Sequence, residues 1–161
     1  IGSIYPVARA LKEKGNRVIS LIEGRSKFLL YWLDKLEAVC DRVVVSTRHR
    51  SMGNTVDAPG AVKDLLASGE RIDRVIAVGC TFMMYLMAEA TRPFAVKTIV
   101  SLNPIMIDGT GMCGACRVSV AGETKFACVD GPDFDGHQVN WGLLLARRKA
   151  YLGPETDSGE R

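Results

Sequence analysis

Along the first hundred residues, apolar and polar positions alternate between a helical rhythm and an extended one. IYPVARALKEKG predicts a helix over roughly Tyr5–Lys14, with Pro6 tolerated in its first turn and Gly15 as the stop. RVISLI, Arg17–Ile22, is a short apolar run that predicts a buried strand reaching Gly24. From Ser26, a candidate N-cap, to Cys40, the residues Phe28, Leu29, Trp32, Leu33, Leu36 and Val39 recur at helical spacing and predict a second helix. Val43–Ser46 is a second strand, and a polar loop, TRHRSMGNTVD, leads to a helix near Ala58–Ala67. A third strand, Val75–Val78, stops at Gly79; the helix FMMYLMAEA follows, then a fourth strand at about Val96–Leu102. Strands separated by helices of this length need crossover connections. The expected fold class is therefore α/β, an open parallel sheet with helices on both faces, of nucleotide-binding type.

After Pro104 the texture changes. Residues 105–137 are rich in Gly, Cys and Asp, with two strand candidates, Arg117–Val120 and Glu123–Phe126, flanking the hairpin signal Ala121-Gly122. An amphipathic helix, Trp141–Tyr151, precedes the polar tail GPETDSGER. The expected organisation is a nucleotide-binding domain at 1–103, a Cys-rich segment at 104–139, and a helix and tail at 140–161. The chain opens at Ile1-Gly2-Ser3 without Met and enters a helical pattern that a strand and turn normally precede. The reading expects that strand and turn, and whatever lies before them, upstream of Ile1.

Composition narrows the function. The 161 residues are 47% hydrophobic, enough for a core, and the net charge of +3 is too small to argue for nucleic acid. Basic residues are dispersed apart from Arg48–Arg50 and the pair Arg147–Arg148. No apolar run approaches a membrane span. The five cysteines are an odd number, and two of them, Cys40 and Cys80, stand alone in apolar segments. That pattern argues against a disulfide framework and for a reducing cytoplasm.

The other three cysteines carry the chemistry. Residues 108–128, DGTGMCGACRVSVAGETKFAC, set Asp108, Cys113, Cys116 and Cys128 at the spacing D-x4-C-x2-C-x11-C. Thiolates gathered in a glycine-rich loop point to an iron–sulfur cluster, because soft sulfur binds iron and free backbone amides strengthen the site by bonding to cluster sulfides. The hairpin explains the longer second gap. A [2Fe–2S] cluster wants four ligands; Asp108 stands where a plant-type C-x4-C-x2-C spacing has its first cysteine, and a carboxylate can ligate iron. A structural zinc site from the three cysteines plus Asp108 or His137 fits the same residues and would make the chain a non-catalytic docking module. A redox disulfide between Cys113 and Cys116 fits less well, since it would open a helix after a first strand.

NPIMIDGTGMCGACRVSV followed by FACVDGPDFDGHQV resembles the C-terminal segment of the FAD and [2Fe–2S] electron-transfer subunits. These include sulfide dehydrogenase, the small subunit of NADH-dependent ferredoxin:NADP oxidoreductase, and the dihydroorotate dehydrogenase electron-transfer subunit. The similarity extends more weakly along the rest of the chain. It implies Asp108, Cys113, Cys116 and Cys128 as [2Fe–2S] ligands. Aspartate at the first position is similar to the first two branches, whereas dihydroorotate-type subunits carry cysteine there; that type is the alternative. His137 and the aspartates of VDGPDFDGH look like loop-forming and interface groups.

The resemblance also implies a ferredoxin-reductase-type domain for NAD(P)H, with FAD held mainly by an upstream domain. Electrons would pass to or from a larger catalytic flavin/iron–sulfur subunit, or a ferredoxin-like carrier. Ligands of open α/β sheets lie at the carboxyl ends of strands. The nucleotide candidates are accordingly Gly2 and Ser3 as the remnant of a Gly-rich turn, Gly24 and Arg25, Arg48 and Arg50, and Gly79-Cys80-Thr81. The last resembles the family's C-G-P turn near the nicotinamide, with the Gly–Cys order changed and the proline absent. Cys80 is the candidate facing the hydride path, against the reading of a small buried residue. Arg48 and Arg50 match a 2′-phosphate and would favour NADPH, against the reading of a solvated basic loop. Met83, Met84 and Met87 read as core, and His49 as a general base lacks support, since hydride transfer to flavin needs none.

Overall fold

A computed structural model describes residues 1–47 and 56–149, except the side chain of Lys149. Arg48, His49 and Arg50 therefore lie outside the described residues, as does the tail. Contacts divide the chain into two compact units, Ile1–Glu70 and the part from Arg71 onward.

In the first unit, α1 (Ile4–Glu13) leads to β1 (Ile19–Gly24), which pairs in parallel with β2 (Arg42–Thr47) in the register Ile19↔Arg42 to Gly24↔Thr47. Side chains alternate across a strand, so Ser20 and Ile22 share one face of β1 while Leu21 and Glu23 share the other. Ala8, Val18, Ile22 and Leu36 form a core on the first face, joining α1 to α2 (Leu33–Val39). On the second face Glu23 accepts a hydrogen bond from the Ala58 N–H at 3.1 Å, at the start of α3 (Ala58–Ala67). Helices thus cover both faces of the pair. The start of α3 follows from local chemistry: Asp57 caps it by accepting from the Gly60 N–H at 2.8 Å, and Pro59 sits in the first turn, where its missing N–H costs nothing.

The helix expected over 26–40 is corrected. Lys27–Leu29 is a single 3₁₀ turn, and α2 begins only at Leu33 because Trp32 adopts a left-handed backbone, φ 57. That conformation costs a non-glycine residue roughly 1–2 kcal/mol. Contacts of the indole offset it: Tyr5 and Tyr31 lie edge-on at 6.1 and 5.7 Å, and the Lys35 ammonium sits 4.1 Å from the ring centroid. Phe28 and Leu29, expected on the buried face, are 86% and 58% exposed, whereas Leu36 is fully buried. Burying a leucine is worth about 1.5–3 kcal/mol, so Leu36 fixes this element and the periodicity of its neighbours does not.

In the second unit β3 (Arg74–Ala77) and β4 (Lys97–Ser101) pair in parallel around α4 (Thr81–Thr91). Met84 and Met87 are buried, as read, while Met83 is half-buried. The hairpin β5 (Arg117–Val120) and β6 (Glu123–Phe126) forms as expected. Ala121 and Gly122 take φ 54 and 80, the two positive values that a tight turn matching strand twist requires. One strand was missed. β7 (Asp133–Asp135) runs antiparallel to β4, with Phe134 opposite Val100, and so brings the end of the Cys-rich segment onto the β3–β4 sheet. The last helix, α5 (Trp141–Lys149), is anchored by Trp141, whose indole N–H donates to the Gly136 carbonyl at 2.9 Å. No helix among the described residues is long and apolar enough to cross a membrane.

Candidate metal centre

The four candidate ligands lie in the second unit, on the loop before β5 and just past β6. The hairpin registers Arg117 against Phe126, and the Ala127 N–H donates to the Cys116 carbonyl at 3.2 Å. This extension of the ladder sets Cys116 and Cys128 side by side, with sulfurs 3.2 Å apart. Cys116 is 2% exposed and Cys128 half-buried, so the pair sits at the base of the loop. Cys113, on its rim, is exposed.

The loop is wound on Asp108. Its two carboxylate oxygens accept from the Thr110 and Cys113 N–H groups, each at 2.8 Å. Gly114, φ 65, supplies the left-handed residue that lets the chain turn between Cys113 and Cys116. The Ala115 N–H then points back to the Cys113 sulfur at 3.4 Å. Behind the loop, Arg117 donates to the Gly114 carbonyl at 3.0 Å and Arg147 of α5 to the Ala115 carbonyl at 3.3 Å.

Electrostatics follow from these bonds. The Thr110 N–H, joined by that of Cys113 and opposed by partial desolvation, holds the Asp108 carboxyl below the ordinary carboxylate range. Burial pushes the Cys116 thiol up, but hydrogen bonds from Cys128 and nearby amides outweigh it and the net displacement is downward. The Cys128 thiol moves up, first through its bond to the Cys116 sulfur and then through burial. Because the folded pKa of Asp108 is depressed, its loop contacts stabilise fully above the unfolded carboxylate value, about 3.9, and are lost as pH falls through the lower folded value. A titration of the Thr110 and Cys113 amide resonances in metal-free protein is expected to show its transition below that value; one at or above it would contradict these bonds.

The donor set suits an iron–sulfur centre: two sulfurs and a carboxylate on a glycine-rich loop and a third sulfur just past β6, with two sulfurs already paired and one accepting an amide hydrogen bond. Among the described residues no three His, Cys, Asp or Glu side chains converge on one point. The Asp108 oxygens are instead turned to backbone N–H groups. His137 belongs elsewhere, since its Nε2 lies 3.0 Å from the Thr91 hydroxyl, which also meets Thr98 at 2.6 Å. Of the neighbouring aspartates, Asp130 accepts from the Phe126 N–H at 2.6 Å and Asp135 from the His137 N–H at 3.0 Å, both loop-forming contacts.

The nucleotide candidates fall in both units. In the first, Gly2 and Ser3 are exposed at the start of α1, Gly24 ends β1, and Arg25 is exposed. In the second, Cys80 is exposed rather than buried and caps α4, its sulfur accepting from the Met83 N–H at 3.4 Å. Sequence reasoning missed Asn103. Its amide donates to the Gly79 carbonyl at 3.3 Å and accepts from the Thr81 hydroxyl at 3.0 Å, while Arg148 donates to its backbone carbonyl at 3.0 Å. The Gly79-Cys80-Thr81 turn is thereby clasped to the residue just before the Cys-rich segment. Arg147 and Arg148 each hold a different loop, through the Ala115 and Asn103 carbonyls.

Comparison with known proteins bears on this site directly. Residues 103–140 match the iron–sulfur cluster binding domain of dihydroorotate dehydrogenase B. The whole chain is 45% identical to a Thermotoga maritima homolog of the dihydroorotate dehydrogenase B (NAD(+)) electron transfer subunit, of which it covers 56%. It is 29% identical, over 84% of its length and 52% of the relative, to a probable subunit of that name from Methanocaldococcus jannaschii. A solved structure of the NADH-dependent reduced ferredoxin–NADP oxidoreductase, from work on flavin-based electron bifurcation, superposes with a TM-score of 0.83 and 42% identity. It covers 99% of this chain and 57% of that one. The chain thus spans about half the length of the curated relatives it matches. By its segment 103–140 and by a likeness that runs its whole length, the chain is similar to the electron transfer subunits of dihydroorotate dehydrogenase B and to the NADH-dependent reduced ferredoxin–NADP oxidoreductase.

Proposed function

We propose that this chain is part of an NAD(P)H-dependent oxidoreductase subunit that relays electrons between NAD(P)H, FAD and a [2Fe–2S] cluster, to or from a larger catalytic subunit. The observation that carries the reading is the Cys116–Cys128 sulfur pair, 3.2 Å apart, within a segment that matches a cluster-binding domain. Asp108, Cys113, Cys116 and Cys128 would hold the cluster. When bound, flavin and cluster supply the conversion between a two-electron hydride and single electrons.

The chain's own residues then have assignable tasks. Cys116 and Cys128 offer a buried and a half-buried sulfur, and the Ala115 N–H supports Cys113. Gly79, Cys80 and Thr81 would form the turn for the nicotinamide, with Cys80 exposed, Thr81 buried and the turn held by Asn103. Gly2, Ser3, Gly24 and Arg25 are proposed as backbone and ribose or phosphate contacts within the first unit. Residues 1–103 would serve nucleotide and 104–139 the cluster. A ferredoxin-like carrier as electron partner and a cytoplasmic setting complete the proposal.

Nucleotide choice is assigned to Arg48 and Arg50, whose guanidinium groups match a 2′-phosphate. The chain carrying both Arg48→Ala and Arg50→Ala is expected to bind NADPH about tenfold more weakly while NADH is unaffected, as a lost charge-assisted contact predicts. Equal effects on the two nucleotides in a fluorescence titration would remove the assignment.

A further inference from the structure

Two arginines reach the ligand loop from different elements and bond to consecutive peptide groups. Arg117, at the start of β5, donates from Nη1 to the Gly114 carbonyl at 3.0 Å; Arg147, on α5, donates from Nη2 to the Ala115 carbonyl at 3.3 Å. Both side chains line a cavity of about 100 Å³ between the hairpin and α5. Among the described residues neither guanidinium makes an ion pair with a carboxylate.

The first contact continues through the peptide. The amide whose carbonyl Arg117 holds is the one whose N–H, on Ala115, donates to the Cys113 sulfur at 3.4 Å. A guanidinium is always protonated. It draws electron density towards the carbonyl oxygen and makes the N–H at the other end a stronger donor, as in any chain of polarised hydrogen bonds. The second peptide group, Ala115–Cys116, is polarised in the same sense by Arg147. Iron–sulfur potentials respond to net charge and to hydrogen bonds on the sulfurs.

We propose that Arg117 and Arg147 are positioning residues that raise the electron affinity of the centre on this loop, by polarising the two peptide groups between its ligands. The inference rests on the reading of the loop as a cluster site. Each bond stabilises the more negative, reduced state more than the oxidised one, so removing either makes reduction harder.

The test uses the full chain, reconstituted anaerobically with iron and sulfide and titrated with dithionite through mediator dyes under electron paramagnetic resonance. Arg117→Gln and Arg147→Gln are each expected to load iron like the parent. Each should lower the equilibrium constant for one-electron reduction about tenfold, a shift of about 59 mV to lower potential. Arg71→Gln, which removes an exposed arginine paired with Asp73, is expected to leave the potential unchanged. A loaded parent whose Gln variants keep its potential overturns the inference alone, as does an equal shift in Arg71→Gln. A parent that takes up no cluster overturns the cluster reading and the inference with it. Where a Gln variant fails to retain its cluster, the Ala115 amide proton of the metal-free Arg117→Gln chain decides: a move upfield supports the polarised peptide and an unmoved resonance overturns it.

Discussion

Cys116→Ser is expected to abolish cluster loading, with iron per chain after anaerobic reconstitution falling by at least about tenfold. Substitutions that only support ligands already cost 10–100-fold in metal affinity, and this one removes a ligand. Cys116 is the most consequential of the three cysteines for structural reasons. It is the one at 2% exposure, its sulfur pairs with Cys128 at 3.2 Å, and its backbone carbonyl holds Ala127 beyond the end of the hairpin. Serine keeps the backbone bond and the small volume, so circular dichroism should remain that of the parent. It replaces a polarisable thiolate with a hard hydroxyl that is a poor donor to iron. Cys40→Ser, in the first unit beside Ser20, is the matched control and is expected to load normally. Retention of a parent-like visible spectrum by Cys116→Ser would show that the Cys116 sulfur does not hold metal.

Asp108→Ala should come next in size. It deletes the proposed oxygen ligand and both bonds that wind the loop onto Thr110 and Cys113. The expected result is a 10–100-fold loss of retained cluster on exposure to chelator. Asp108→Cys separates the two roles. It supplies a fourth thiolate without restoring the carboxylate's two loop bonds, and it is expected to hold the cluster at a lower potential because a thiolate places more negative charge on iron. An unchanged spectrum and potential in both variants would remove Asp108 from the ligand set and leave it a loop-former only.

The sequence exposed those features that local chemistry determines. The β5–β6 hairpin was visible because Ala121-Gly122 can take the two positive φ values between alternating residues; α3 was placed after its polar loop, while the Asp57 cap and the first-turn Pro59 that start it emerged only in the structure. Parallel pairing followed from the alternation of strands and helices. What escaped depended on tertiary contact. The three residues of β7, Asp-Phe-Asp, carry no strand periodicity of their own and form only because β4 offers an edge to pair with. The break at Trp32 is invisible to a periodicity count, since the aromatic and lysine contacts that offset it come from Tyr5, Tyr31 and Lys35. The same holds at the site. Spacing picked out Asp108 and the cysteines because ligands are chosen by atom type. Asn103, Arg117 and Arg147 act on backbone carbonyls, and no residue pattern announces a carbonyl partner.

The central claim is that Asp108, Cys113, Cys116 and Cys128 hold an iron–sulfur cluster. Its most direct test is metal and acid-labile sulfide analysis of the chain purified without oxygen, paired with electron paramagnetic resonance of the dithionite-reduced protein. Iron and sulfide in equal amounts, with a spin-½ signal that appears on reduction, is the predicted result. Zinc without sulfide, persisting after anaerobic reconstitution, would contradict it.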